Sequence, residues 1–421
     1  MSELIDQKHS SSQSIASSVE VPSYTQKQSL AQLLRGDLGF IPVLLTLIAI
    51  ATYFATTTDG LFLSTGNLSN LLQQIITIGI DGLGVTLVLL LGEIDLSVAA
   101  VGTLGAVVMG VLSERVGLPA WEAILAGVLM GAVAGCLNGF FIAVLRIPSF
   151  IVTLASSIGY SGLLLSLLAG QATLIVHDQT IVSIAGSPFS FLPDIYGVGL
   201  PTLALILYAI VLAWDQVVRK NAGLRTKTLF QLIGQIVLVA VIVEGTIAIL
   251  ENTPGPTPGT YLGVPNSAAI FFGLILVLWF ILKTTRYGRY IYAVGGNIEA
   301  ARRAGINVVM IRITAFTLCS TLAAVGGVLA ASRANAVASQ VSPSLLLEAI
   351  AAAVIGGVSL FGGRGSVWSI VLGALIIGSL ENGLDLRSQG SDVKQMIEGA
   401  VLIFAVTVDA LVRRAQARSG R

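Results

Sequence analysis

From residue 40 to residue 412 the chain is a succession of apolar runs of roughly bilayer length, separated by short polar, glycine-rich or proline-rich breaks. A hydrocarbon core about 30 Å thick takes about 20 residues of α-helix, and a backbone inside it must satisfy its own hydrogen bonds. The pattern predicts an all-α polytopic membrane protein. Its spans fall near 40–56, 70–92, 95–113, 121–144, 149–170, 199–218, 229–250, 267–283, 312–331, 345–361, 366–384 and 395–412, about twelve helices with short interrupted segments among them. Residues 1–38, rich in Ser and Gln, read as a disordered tail, 39–412 as one transmembrane domain and 413–421 as a basic tail. Composition excludes a soluble enzyme, because only 11% of residues are charged where soluble chains carry about a quarter. The net charge of +1 gives no footing for a nucleic-acid partner. Cys136 and Cys319 lie far apart inside apolar runs and read as small hydrophobes.

Charge placement tests the span count, because Lys and Arg accumulate in cytoplasmic loops. With the N-terminus inside, all of the 23 basic residues except Arg115, Arg333, Arg387 and Lys394 fall on the cytoplasmic side. Both termini are therefore expected in the cytoplasm. The other side carries turn chemistry instead, over 251–259 and 171–197.

Two features point to close packing and to function within the spans. Gly127, Gly131, Gly135 and Gly139 recur at every fourth position. Such a stripe lets a partner helix approach to backbone contact. Ionisable groups inside spans are costly and are candidates for function. Glu93 and Asp95 interrupt a long apolar stretch at Gly92-Glu-Ile-Asp-Leu-Ser-Val98, which must bend there, with Asp95 and Ser97 suited to capping the helix that follows. Glu348 opens a short segment after Ser342-Pro343, broken by Gly356-Gly357 and by Gly362-Gly363-Arg364-Gly365; Glu381-Asn382-Gly383 follows in the next span. Short, glycine-interrupted segments are typical of transport pathways. Gly159-Tyr-Ser-Gly162 has the form of an intramembrane serine-protease motif, yet the histidines, His9 and His177, both fall outside the spans, so Ser161 has no base. His177 alone makes no metal site.

The most distinctive stretch is Thr285-Arg-Tyr-Gly-Arg-Tyr-Ile-Tyr-Ala-Val-Gly-Gly-Asn-Ile-Glu-Ala-Ala-Arg-Arg-Ala-Gly-Ile-Asn307. It reads as a basic turn, a start signal at Gly295-Gly296-Asn297, and a short helix from about Ile298 to Ala304 stopped by Gly305. It carries no reactive groups, and a small alanine-rich helix between two spans suits docking into a groove on another protein. This loop resembles the ATPase-coupling loop of ribose/xylose-type ABC transporter permeases. Glu299-Ala300-Ala301 followed by Gly305 is similar to their Glu-Ala-Ala-x-x-x-Gly element, without the Ile-x-Leu-Pro ending of the wider motif. The same class is resembled by 92–98 and by 348–365 with its continuation to Gly383, so the likeness spans about 40–412. The glutamate before Ile94 and the additional helix pair at 199–250 are similar to the xylose permease.

The resemblance implies a transport subunit that is not itself an enzyme, working as a homodimer in the cell membrane. A separate cytoplasmic ATPase that binds the ATP would dock at Gly295, Gly296, Asn297, Glu299, Ala300, Ala301 and Gly305, and an extracytoplasmic protein would deliver a pentose, xylose first. A neutral sugar needs only transient hydrogen bonds, for which Glu93, Asp95, Asn138, Glu348, Glu381 and Asn382 are the candidates. The chain has no Gly-Lys dipeptide and hence no phosphate-cradling Gly-x-x-x-x-Gly-Lys-Ser/Thr loop of its own, and no cofactor or metal is expected in it. The rival reading is an ion-coupled secondary transporter in which Glu93, Asp95 or Glu348 carries protons. It leaves the Glu-Ala-Ala element unexplained.

Overall fold

The computed structural model describes residues 41–186, 190–224, 226–255 and 260–418. The tail expected to be disordered over 1–38 and the last three residues of the C-terminal tail lie outside the described residues. Met1–Leu44 forms a separate unit, of which the start of the first helix is described; Leu45–Arg421 is one compact unit.

Long apolar runs become helices because helix formation closes every backbone hydrogen bond within the segment. In chain order these are α1 (Ile41–Thr57), α2 (Thr65–Leu90), α3 (Val98–Val111, prolonged by a π turn over Leu112–Val116), α4 (Ala120–Ala143) and α5 (Ser149–Leu167). After β1 (Thr173–Ile175) come α6 (Gln179–Ala185), α7 (Asp194–Gly197), α8 (Gly199–Asn221), α9 (Leu229–Glu251), α10 (Asn266–Thr284), α11 (Arg286–Gly296), α12 (Ile298–Arg303) and α13 (Val308–Ala334). β2 (Ala336–Ala338), α14 (Pro343–Ile355), α15 (Ser369–Leu386) and α16 (Ser391–Arg418) complete the chain.

Each span expected from hydropathy coincides with a helix. Among the described residues, nine helices are long and apolar enough to cross a membrane. The apolar parts of α1 and α14 are shorter, 44–57 and 344–355, and α16 carries Asp392, Lys394 and Glu398 in its first half. At 1.5 Å per residue, α14 with 13 residues rises only about 20 Å, less than a bilayer core. Pro343 starts it in its first turn, and Gly356 and Gly357, the latter with φ +102°, stop it. Among the described residues the fold is helical apart from one two-stranded antiparallel sheet, in which Leu174 faces Val337. Three residues per strand are too few to register as a pattern in the sequence.

Helix α13 is the axis of the bundle, with α2, α3 and α4 packed against it. Three glycines of the stripe on α4 face it: a Cβ at Gly131 would lie 2.5 Å from Ser320 O, one at Gly139 would lie 2.7 Å from Ile313 Cα, and one at Gly135 would run into Phe316 O, whereas one at Gly127 would lie 2.5 Å from Gly105 O of α3. On α2 and α3, Gly84 and Gly102 press in the same way on Cys319 O and Ala323 O, at 2.8 and 2.9 Å. At the periphery α8 and α9 are only 6% buried against 78% for α2, so their apolar faces are left for lipid. Thr202 Oγ1 donates to Glu244 Oε1 at 2.9 Å and ties this outer pair together.

The loops segregate to the two ends of the bundle. Around the end of α11, just before α12, gather residues 90–93 and 361–365, with the start of α13 joined to them through Glu93. At the opposite end the two strands meet beside α6, where Ser332 Oγ donates to Ile181 O at 2.6 Å, and Arg115 donates to Leu167 O and Leu168 O at 2.8 and 3.0 Å. Glu114 accepts there from the backbone N–H groups of His177 and Asp178, at 2.9 and 3.2 Å. His177 thus anchors a loop.

Candidate functional site

The 285–307 segment folds for local reasons. Asn297 is extended, and its side chain accepts from Ala300 N at 2.9 Å, capping α12. Gly305 ends the helix at φ +80°, a conformation that only glycine adopts without strain. Glu299 pairs with Arg302 at 2.8 Å on the exposed side, one helical turn on. Ala301 faces inward and is 4% exposed, whereas Glu299, Ala300, Arg302, Arg303 and Ala304 face out. The expected helix is present within a residue of its expected bounds. The preceding stretch, expected as a basic turn, is helix α11, because Gly288, Ile291 and Val294 at three-residue spacing give it a buried face.

Three segments meet at this helix in near backbone contact. A Cβ at Gly295 would collide with Leu90 O and lie 2.7 Å from Gly363 N, so the end of α11 rests on the end of α2. Gly363 N donates to Leu90 O at 2.9 Å, joining α2 to the 359–365 loop. A Cβ at Gly363 would lie 3.0 Å from Gly296 Cα, and one at Gly92 would lie 3.2 Å from Phe361 O. Tyr292 donates to Gly365 O at 2.9 Å. The stretches singled out in the sequence, 92–98, 285–307 and 348–365, thus converge at one end of the bundle.

The acidic bend belongs to the same junction. Glu93 forms an ion pair with Arg312 on the first turns of α13; their side chains are 10% and 23% exposed. Asp95 Oδ1 accepts from Ser97 N at 2.8 Å and Ser97 Oγ at 2.6 Å, bracing the start of α3, while its Oδ2 has no partner. Asn138 of α4 donates to Ser97 Oγ at 3.0 Å and accepts from Ser156 and Tyr160 of α5 at 2.7 and 3.2 Å. Leu96 N donates to Thr153 Oγ1 at 3.0 Å. Every polar atom of Asn138 is therefore engaged. This network holds α3, α4 and α5 at a fixed distance around the bend.

Glu348, Glu381 and Asn382 lie apart from this junction. Glu348 on α14 is 5% exposed and lies in the field of Glu381 on α15, Glu398 on α16 and Asp81 on α2. Asn382 Oδ1 accepts from Asn67 at 2.8 Å and joins α15 to α2. Asp81 was not among the residues that the sequence reading singled out, although an ionisable residue at the centre of a span is the very signal to follow. It is 2% exposed, its Oδ1 has no partner, and it presses on the α13 backbone at Gly326. Arg312, read only as a cytoplasmic charge, was also missed. Its partner lies 219 positions away, and nothing local announces the pairing.

A helical bundle with nine helices, among the described residues, long and apolar enough to cross a membrane, and with polar groups inside them, defines a multi-pass membrane protein. Residues 67–406 match the family described as branched-chain amino acid transport system / permease component, and the chain belongs to that family. It is 35% identical over 380 residues to the xylose transport system permease protein XylH of Escherichia coli (strain K12), covering 90% of this chain and 93% of that protein. It is 31% identical over 371 residues to the ribose import permease protein RbsC of the same strain, covering 87% and 91%, and 28% identical over 406 residues to the fructose import permease protein FrcC of Rhizobium meliloti, covering 95% and 94%. No solved structure matches the chain. The family description names amino acids and these relatives name sugars, so the permease class is what all of them share.

Proposed function

We propose that this chain is the membrane subunit of an ATP-binding cassette importer for a monosaccharide, xylose first. Two copies form the pore, a separate ATPase docks on α12 from the cytoplasm, and an extracytoplasmic protein delivers the sugar to the face that carries the two-stranded sheet. The observation that carries the reading is the seating of α12. Its outer face is free for a partner, and the Gly295 and Gly296 backbone just before it touches both the end of α2 and the 359–365 loop. A push on α12 is therefore delivered to two pairs of spans at once. The similarity to the xylose permease over 90% of this chain supports the choice of sugar.

Residues 39–412 form the permease domain, with both termini in the cytoplasm. Gly295, Gly296, Asn297, Glu299, Ala300, Ala301 and Gly305 make the coupling element. Glu93, Asp95 and Asn138 hold the junction at the inner end of the path, and Glu348, Glu381 and Asn382 offer hydrogen bonds to sugar hydroxyls farther along it. High-affinity recognition belongs to the delivering protein.

Xylose uptake in membrane vesicles is the test. With ATP held constant, a protonophore leaves uptake unchanged, and removal of the ATPase subunit abolishes it. Loss of uptake on protonophore addition would instead favour proton carriage by the buried carboxylates. A second expectation concerns Gly305→Arg, which adds bulk at the end of α12 and forces a left-handed backbone on a side chain, at a cost of about 1 kcal/mol. The bundle folds, and ATP hydrolysis continues without sugar accumulation. Normal sugar-stimulated hydrolysis together with normal uptake would count against docking at α12.

A further inference from the structure

Beside the coupling element lies a cavity of about 230 Å³ lined by three arginines, Arg146, Arg302 and Arg312, with Ala143, Asn307 and Val309. These arginines come from three separate elements, the turn after α4, helix α12 and the start of α13. Arg146 has a left-handed backbone, φ +59°, and is exposed; among the described residues it makes no ion pair. Arg302 is held, among the described residues, by the exposed pair with Glu299. Arg312 gives one nitrogen to Glu93, while its Nε is buried without a partner. Three guanidinium groups against two carboxylates leave the cavity cationic. A liquid water occupies about 30 Å³, so the space takes a group of phosphodiester size.

The walls continue into apolar surface. Phe140, Phe141, Val144 and Leu145 lead up to Arg146 and are 41 to 53% exposed, and Met310, just past the cavity on α13, is 52% exposed. Both α4 and α13 are of membrane-crossing length and composition, and the cavity sits at the ends of those spans. A cationic hollow at the rim of an apolar face fits one chemistry, an anionic headgroup with acyl chains attached.

We infer that this cavity binds an anionic phospholipid of the inner leaflet, its phosphodiester held by Arg146, Arg302 and Arg312 and its chains lying along α4 and the start of α13. The lipid would wedge beside α12 and steady the coupling element against the membrane.

The inner-leaflet placement rests on the proposed function, but the lipid assay uses the purified chain without any ATPase, so its failure is distinguishable from a failure of the transport reading. Retention of phosphatidylglycerol and phosphatidylcholine from mixed nanodiscs is measured by native mass spectrometry. Phosphatidylglycerol is expected to be retained at least about tenfold better. The double substitution Arg146→Gln with Arg302→Gln weakens its retention by roughly thirtyfold, and Arg146→Lys with Arg302→Lys restores most of it. Both residues are exposed, and a monodisperse elution profile confirms that each variant is folded. Equal retention of the two lipids, or a phosphatidylglycerol preference that the glutamine pair leaves untouched, overturns the assignment. Competition by glycerophosphoglycerol, which lacks acyl chains, as effective as that by the lipid would mark a soluble-anion site and overturn it too. So would loss of ATPase binding in the glutamine pair with lipid retention unchanged, which would give the cavity to an acidic segment of the partner.

Discussion

Gly135→Leu on α4 is expected to eliminate folded protein. In lipid the helices are held by close van der Waals contact and not by exclusion of water, so a stripe that keeps two backbones together supplies the attraction itself. A Cβ at Gly135 runs into Phe316 O, and at Gly131 one sits 2.5 Å from Ser320 O. Carbonyls of an intact helix cannot rotate away without breaking their own hydrogen bonds. The two helices must therefore separate, and Gly131 and Gly139 lose their contacts with α13 together. Overpacking of an ordinary core costs up to about 3 kcal/mol. Here the loss extends along the whole contact between α4 and the axial helix, so the monodisperse fraction after detergent extraction drops below detection. Gly159→Leu on α5 is the control, because a Cβ there meets nothing within 4 Å. Its yield stays at the parent level. Equal yields for the two variants would remove the central place given to the α4–α13 contact.

The second large effect concerns the pair of Glu93 and Arg312. Glu93→Gln leaves the Arg312 guanidinium largely buried without its counter-charge, and removing one member of a buried pair costs about 3 kcal/mol or more. That cost falls where α2, α3 and α13 meet beside α11 and α12. Sugar uptake at saturating substrate is expected to fall more than tenfold, with the substrate concentration for half-maximal rate little changed. Arg312→Gln does the same by stranding Glu93. The double substitution recovers much of the loss, because no uncompensated charge remains. A double variant as poor as the sum of the singles would show that the two residues act separately. A pair that merely held the bundle together would lower protein yield along with uptake, so yield is measured for each variant.

The parts legible in the sequence were those governed by short-range physics. Hydropathy located the long helices because each closes its own hydrogen bonds, and Asn297 with Gly305 marked α12 because capping is local. The stripe from Gly127 to Gly139 announced a close-packed partner. That the main partner is α13 required the fold, since Gly131, Gly135 and Gly139 meet residues 313–324 nearly two hundred positions downstream, while Gly127 meets Gly105 of α3. The same limit hid the convergence at Gly295. Leu90 O is a backbone atom in an unremarked apolar run, and no side-chain pattern reveals that α11 will rest on it. Helix α11 was missed for a different reason. Its arginines and tyrosines obscure a buried face only three residues deep, at Gly288, Ile291 and Val294. Asp81 was overlooked because a single charge scarcely lowers the hydropathy of a 26-residue helix, although its cost inside the bundle is large.

One measurement bears most directly on the account: accumulation of radiolabelled xylose in proteoliposomes holding this chain, with and without the ATPase and the sugar-delivering protein. Concentrative uptake is expected only with both partners and ATP present, and none from the chain alone under any imposed proton or sodium gradient. Accumulation by the chain alone, driven by such a gradient, would contradict that expectation.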